Sequence, residues 1–354
     1  VKRVQPCLAA LLLSGATLAH AVPSYTVTPI APAGSYAQDI NNAGAVVGYS
    51  GAQSGFIYQH GGYSTHSVPG AESTAFGAIN NSGTVLGDTR VPPGVNNALR
   101  YANGSFTLYP PPAGYHAIRL SAINDAGVMA GNYNGAASHA FIDNGSGAQL
   151  LAPQAGGSIA YEINNSGKVA GAVDTGSGSG YKAAEFANGG YSLIGNFAGS
   201  SGAFAINDSG WVGGYYTISS LLGGAFLRDA QGTMTLYSLP NRELFLNDVN
   251  NSGLAVGTGW ASGSPDSWAY LFDGAAAVDL NTRLVNGNDW TIVAASAINE
   301  HGQIAGTGCH QSTGLCQAVL LEVSPVPEPA SWAMLLAGLA VAGYGARRRA
   351  NTGA

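Results

Sequence analysis

Charge is scarce in this chain. Asp, Glu, Lys and Arg together make up 9% of its 354 residues, too little for the charged faces of soluble helices or for a disordered tail. No stretch has the pattern of a long soluble helix. Catalytic signatures are missing as well: there is no His-Glu-x-x-His, no phosphate-binding glycine loop with lysine, no Gly-x-Ser-x-Gly elbow between a strand and a helix, and no sialidase-type Asp box. The seven histidines are scattered. What the chain has instead is 52 glycines and 46% apolar residues, the composition of a turn-rich β protein.

The glycines are organised. A ten-residue phrase occurs seven times: DINNAGAVVG (39–48), AINNSGTVLG (78–87), AINDAGVMAG (122–131), EINNSGKVAG (162–171), AINDSGWVGG (205–214), DVNNSGLAVG (248–257) and AINEHGQIAG (297–306). Successive copies begin 39, 44, 40, 43, 43 and 49 residues apart. A period of about 40 to 45 residues belongs to stacked or radial β architectures, in which one repeat cannot bury its own apolar face. Each phrase carries a hairpin turn, with Asn opening a type I turn and Gly supplying the left-handed residue that closes it. A second hairpin follows, as in GFIYQHGGYSTHSV (55–68) and ALRYANGSFTLYP (98–110), where alternating apolar residues flank Gly-Gly or Asn-Gly.

Four strands per repeat is the arithmetic of a propeller blade. The expected fold is therefore all-β, a seven-bladed β-propeller of four-stranded repeats. The seventh repeat stops after a third strand at 317–323, and a lone strand, YTVTPI, stands at 25–30. Pairing these two would close the ring and leave no long open edge, and a monomer is expected. A β-solenoid is the alternative, although its coils use shorter periods and need caps that are not seen here.

The ends have a different character. Lys2 and Arg3 precede an apolar run at 8–18 and then Ala19-His20-Ala21, so residues 1–21 have the form of a signal peptide. Cys7 lies before that run, which argues against a lipoprotein anchor. At the other end Pro327-Glu328-Pro329 precedes uncharged residues 330–346 and then Arg347, Arg348 and Arg349. Seventeen residues make roughly 25 Å of helix, the short edge of what spans a bilayer. The arginines would stay on the cytoplasmic side, and a permanent tail anchor is one reading.

The string VPEPASWAMLLAGLAVAGYGARRR resembles the PEP-CTERM sorting signal of Gram-negative bacteria. That resemblance implies recognition by an exosortase, a transient stay in the inner membrane, cleavage near Pro327-Glu328-Pro329, and release or surface attachment in an exopolysaccharide-producing organism. The chain then divides into a signal peptide (1–21), the repeats (22–324) and the sorting signal (325–354). Between the terminal segments lie eight basic residues (Arg90, Arg100, Arg119, Lys168, Lys182, Arg228, Arg242 and Arg283) and eighteen acids, a net charge of about −10 where the whole chain carries −6. An acidic, lysine-poor body excludes nucleic acid and anionic lipid as expected partners.

The repeats themselves resemble the HAF family of extracellular repeats, whose His-Ala-Phe string stands here as His139-Ala140-Phe141. The other repeats depart from it, with Gly55-Phe56-Ile57 or Trp268-Ala269-Tyr270. The resemblance implies a secreted protein and no catalytic residue.

Cys309 and Cys316 frame a short loop, and in an exported protein they are expected to form a disulfide. Zinc held by them with His301 or His310 is the alternative. The first position of the phrase is acidic in three copies: Asp39, Glu162 and Asp248. If the phrase strands are innermost, these carboxylates share one level around the axis and could bind Ca²⁺ or sugar hydroxyls, or else each pairs locally with a backbone amide or an arginine. No other cofactor is expected. The recurring Asn of the third position is accounted for by its turn. Trp211, Tyr215, Tyr216, Trp260 and Trp268 are candidates either for sugar stacking or for packing between blades.

These residues give a non-enzymatic surface or matrix protein that binds exopolysaccharide or another envelope component. The alternative is a propeller enzyme acting on extracellular carbohydrate. Three or more acids or arginines converging in a deep axial pocket would favour the enzyme, and a channel lined by Ala, Gly and aliphatic side chains would favour binding or scaffolding.

Overall fold

The computed structural model describes residues 23–324 except 52, 177, 179, 220, 221 and 262. The leader and the sorting residues Pro327, Glu328, Pro329, Arg347, Arg348 and Arg349 lie outside the described residues. Among those described, 28 strands form seven four-stranded antiparallel sheets. Among the described residues a 3-10 turn at Leu280–Arg283 is the one helical element, and no helix there is long and apolar enough to cross a membrane.

The seven sheets are the blades of a closed propeller. Innermost in each is the strand that runs into the phrase: Ser35–Ile40, Ser73–Ile79, Ala117–Ile123, Gly157–Ile163, Ser201–Ile206, Arg242–Val249 and Trp290–Ile298. Each inner strand contacts the next, and the seventh contacts the first. Closure is by strand exchange between the ends. Tyr25–Pro29 is the outer strand of blade 7 and pairs with Cys316–Val323, with Tyr25 opposite Val323. The lone strand expected at 25–30 thus completes the last blade.

The phrase turns as expected. In the second copy Asn80 N–H donates to Thr84 O (3.1 Å), Gly83 N–H donates to Asn80 O (3.0 Å), and Gly83 adopts φ +79°. Its tenth position has a different reason to be glycine. At all seven copies a Cβ there would collide with the carbonyl oxygen of the residue three before the phrase: Tyr36, Ala75, Arg119, Ile159, Gly202, Phe245 and Ala294. Every inner strand carries a β-bulge two residues after this carbonyl, and an aromatic ring from the third strand often covers the same glycine. Phe56 lies opposite Gly48, Phe141 opposite Gly131 and Phe226 opposite Gly214.

The core lies between blades. Seven clusters each draw on two neighbouring sheets; one joins Ala297, Ala305 and Leu320 of blade 7 to Ile40, Val46 and Phe56 of blade 1. Phe56, Phe76, Phe141, Phe186, Phe226 and Phe272 are fully buried. At about 2 to 3 kcal/mol for each such burial, blade-to-blade contact is where most of the apolar stabilisation is gained.

Candidate functional site

The axis of the propeller is a channel with three levels, set by successive positions in each inner strand. At one mouth stand the phrase turns. Their third-position asparagines do more than cap their own corners. Each Oδ1 accepts the backbone N–H four residues on, as Asn164 does from Lys168 (3.0 Å). Each Nδ2 then donates to the carbonyl of the corresponding asparagine in the next blade: Asn41 to Asn80, Asn80 to Asn124, Asn124 to Asn164, Asn164 to Asn207, Asn207 to Asn250, Asn250 to Asn299, and Asn299 back to Asn41. The seven bonds span 2.6–3.2 Å and close on themselves. Turn formation alone therefore under-explains these residues, which also clasp each blade to its neighbour.

A second circle lies outside the first. The fourth-position side chain accepts a backbone N–H from the preceding blade, as Asp125 does from Asn81 (2.9 Å) and Asn42 does from Glu300 (3.1 Å). Burial tends to raise the Asp125 carboxyl, but donors from Asn81 and Asn165 hold it below its ordinary range.

The waist of the channel holds Asp39, Glu162 and Asp248, the three acids singled out by the repeat. They line both the cavity of about 160 Å³ at the turn mouth and the one of about 360 Å³ on the other side. Asp39 accepts from its neighbour Ile40 and from Ile79 of blade 2, both at 2.7 Å. Asp248 repeats the pattern with Val249 (2.7 Å) and Ile298 of blade 7 (2.8 Å). Glu162 accepts from Ile163 (3.0 Å). The local pairing is with backbone amides, and two of the carboxylates bridge blades. Among the described residues no three His, Cys, Asp or Glu side chains stand close enough to hold a metal ion, so the calcium expectation finds no ligand set: the acids share a level but are not gathered on one point.

Burial raises the Asp39 carboxyl to about 7 against the pull of the Ile79 and Ile40 amides, with Asp248 adding repulsion. Asp248 is raised by burial to about 6, opposed by the Ile298 and Val249 amides. Glu162 is pushed well above the usual range, first by burial and then by the charges of Asp39 and Asp248. A carboxyl whose folded pKa exceeds its unfolded one binds protons more tightly when folded. Its stabilising effect is complete below about pH 4 and is lost as pH climbs to about 7. The melting temperature is expected to fall between pH 5 and pH 8, and the fall to shrink in the Asp39→Ala, Asp248→Ala double variant. His66, lowered by burial, acts in the opposite sense below about pH 6.5 and is common to both proteins. An equal fall in both would remove Asp39 and Asp248 as its cause.

Beyond the waist the channel widens into a vestibule lined by the bulge residues. Each inner strand has its register shift one position before the phrase, and the extra residue is Gln38, Gly77, Ser121, Tyr161, Phe204, Asn247 or Ser296. All seven line the 360 Å³ cavity, with Arg119 beside them. Bulges re-aim side chains in this way near functional sites. Repeat reading passed over these residues because they precede the recurring phrase and differ in every copy. The usable signal was that variation itself, between an apolar residue before and a fixed phrase after.

The aromatic candidates separate. Tyr216 is buried and stacked on Phe197 (5.0 Å between centroids), Trp211 packs into the core shared by blades 5 and 6, and Trp268 lies under the Arg242 guanidinium at 3.8 Å. Tyr215 and Trp260 belong to a continuous ridge with the vestibule: Tyr161 to Phe204 (4.6 Å), Phe204 to Tyr215 (5.1 Å), Tyr215 to Phe245 (5.2 Å) and Phe245 to Trp260 (5.1 Å). Cys309 and Cys316 form a disulfide at the far end of blade 7, which leaves no thiolate for zinc.

Residues 325–349 match the PEP-CTERM protein-sorting motif. The motif implies exosortase-dependent export, with sorting at the membrane. No curated protein matches the chain. Solved structures of similar shape include TolB from Acinetobacter baumannii, 13% identical with a TM-score of 0.43 over 60% of this chain and 54% of that one. The chain thus covers about half the length of TolB. YCF48 bound to D1 peptide is 14% identical with a TM-score of 0.46, covering 87% of this chain and 99% of that one. A gluconolactonase from Xanthomonas campestris is 10% identical with a TM-score of 0.40, covering 86% and 96%. At such distances nothing about activity transfers to this chain.

Proposed function

We propose that the protein is a non-enzymatic component of the cell surface or extracellular matrix, delivered by exosortase sorting and associated with exopolysaccharide. The observation that carries the binding reading is the vestibule, which sets aromatic rings beside uncharged hydrogen-bonding groups at the mouth of a rigid ring. The sorting motif at 325–349 supports the address, and the resemblance of the repeats to the HAF family supports a secreted role. Cleavage near Pro327-Glu328-Pro329, and attachment in a Gram-negative envelope, belong to the same reading.

One observation favours the second reading, an enzyme acting on extracellular carbohydrate. Asp39, Glu162 and Asp248 all line the axial cavity, and a carboxyl kept protonated near neutrality is what general acid catalysis needs. Two of the three are already occupied with blade-bridging amides, which places the weight on binding. Calorimetric titration of the purified protein with the producing organism's exopolysaccharide, with product length followed in parallel, decides between them. Saturable heat without shortening is expected. Shortening that disappears in Glu162→Gln would replace the binding reading with the enzymatic one, and neither heat nor shortening would remove polysaccharide as the partner.

A further inference from the structure

We propose that the bulge-ring vestibule is a carbohydrate seat for one neutral pyranose unit, stacked on Tyr161 and Phe204 and hydrogen-bonded by Gln38, Asn247 and Ser296. This rests on the glycan-binding reading and gives it a place and a sugar class.

The case begins with where the chain varies. The residue before each bulge is apolar and almost fully buried, from Phe76 at 0% exposure to Leu120 at 4%. The residue after it is Ala or an acid in every copy. Only the bulge position between them ranges over Gln, Gly, Ser, Tyr, Phe and Asn. Packing holds its neighbours constant while this side chain is turned to the axis, so its identity is free to answer to a ligand.

The variation is also ordered around the ring. Tyr161 and Phe204 come from adjacent blades 4 and 5, in edge contact at an interplanar angle of 72°. Ser296 and Gln38, from blades 7 and 1, lie across the axis from them, Asn247 of blade 6 stands beside Phe204 of blade 5, and Gly77 leaves its sector open, with nothing within 4 Å of where its Cβ would stand. Asn247 Nδ2 donates to Ala295 O (2.8 Å) and Thr258 Oγ1 (3.2 Å), and Ser296 Oγ (2.8 Å) and Gln38 Nε2 (3.2 Å) both donate to Ala37 O, which fixes the three side chains and leaves their oxygens as acceptors. One apolar wall opposite one uncharged polar wall matches a pyranose, whose C–H face suits an aromatic surface and whose hydroxyls lie on its rim. The volume of about 360 Å³ is at the small end of ligand pockets, which span about 300–1,000 Å³. Tyr215, Phe245 and Trp260 extend the aromatic wall outward, so a longer chain can continue along it.

The floor selects against charge. Asp39, Glu162 and Asp248 stand beneath the seat, and an anionic sugar entering it would meet those carboxyls. Arg119, at the side, shares its field with Asp88, whose carboxyl burial raises and the guanidinium only partly draws back.

The test is titration of the purified protein with methyl β-glucopyranoside, methyl β-galactopyranoside, methyl α-mannopyranoside and glucuronic acid at pH 8, followed by NMR and intrinsic fluorescence. At least one neutral glycoside is expected to saturate, with glucuronic acid at least tenfold weaker. Gly77→Tyr, which fills the open sector with a residue already used at the same position in blade 4, is expected to weaken binding at least tenfold with an unchanged melting temperature. Phe204→Leu, which keeps bulk but removes the ring, is expected to do the same. Absence of saturation by any glycoside, or unchanged binding in Gly77→Tyr, overturns the seat. Glucuronic acid binding as tightly as the neutral sugars overturns its class. The two readings fail separately: exopolysaccharide binding that survives Gly77→Tyr keeps the matrix role and removes the seat, whereas glycoside binding without exopolysaccharide binding keeps the seat and removes the matrix role.

Discussion

Gly171→Ala is expected to destabilise the propeller by about 3 kcal/mol or more, the upper range for forcing a methyl group into a packed interior. The added Cβ would run into the carbonyl oxygen of Ile159 and lie 2.8 Å from the Phe186 ring. Neither obstacle is a flexible side chain. The carbonyl belongs to the inner strand and is held there by the bulge at Tyr161, and Phe186 is fully buried between blades. Relief would require either loss of the bulge, which would shift the strand by one residue and turn its buried face to the channel, or displacement of the core. Gly167→Ala, in the turn of the same copy, separates this from a general intolerance of the repeat. Its φ is +81° with open space around it, and the cost should be about 1 to 2 kcal/mol from backbone conformation alone. Thermal or urea denaturation of the two variants checks the order. A Gly171→Ala protein as stable as Gly167→Ala would mean that the bulge is not held as described.

Asn164→Ala is expected to cost about 3 kcal/mol, chiefly from three lost hydrogen bonds to backbone groups near 1 kcal/mol each, with a fourth from Ser166 Oγ (2.8 Å) also lost. Its side chain is 6% exposed, donates to Asn207 O (3.0 Å), and accepts from the amides of Ser166 (3.1 Å) and Lys168 (3.0 Å). Alanine strands all three. Asn164→Asp sharpens the test, because the carboxylate keeps both turn bonds and loses only the donor, facing the Asn207 carbonyl with negative charge instead. If the asparagine served its turn alone, Asp would be nearly neutral; as part of the circle, Asp should be at least as damaging as Ala. Denaturation midpoints of the pair distinguish the two, and a harmless Asn164→Asp would dissolve the circle as a source of stability.

The sequence displays the blades because the forces that shape them are local. Asn80, Gly83 and the strands around them are fixed by turn geometry and alternation, which recur visibly every 40-odd residues. Closure was legible for the same reason, since Tyr25-Thr26-Val27 is an orphan strand and blade 7 lacks its fourth. The vestibule was not legible, because a bulge adds one residue without leaving a residue type of its own. Gln38 and Phe204 have nothing in common in sequence and become equivalent only when seven strands meet at an axis. The three waist acids stood out as a pattern, but their separation across the channel and their amide partners are properties of the closed ring. The asparagine circle hid behind an explanation that was correct for one of its two functional groups.

The closing strand pair also fixes how such a disk can be held. Chain entry at Tyr25 and chain exit beyond Val323 sit side by side in the outer half of blade 7, well away from the axis. Val323 ends beside the phrase turn of blade 7, its side chain against Gly302, so a tether acting through the residues after Ser324 would grip the molecule at the outer edge of the face that carries the phrase turns, on the other side of the waist from the vestibule. A long polymer could reach the vestibule and its aromatic ridge broadside, and the grip could be released by a single cut without disturbing the seat.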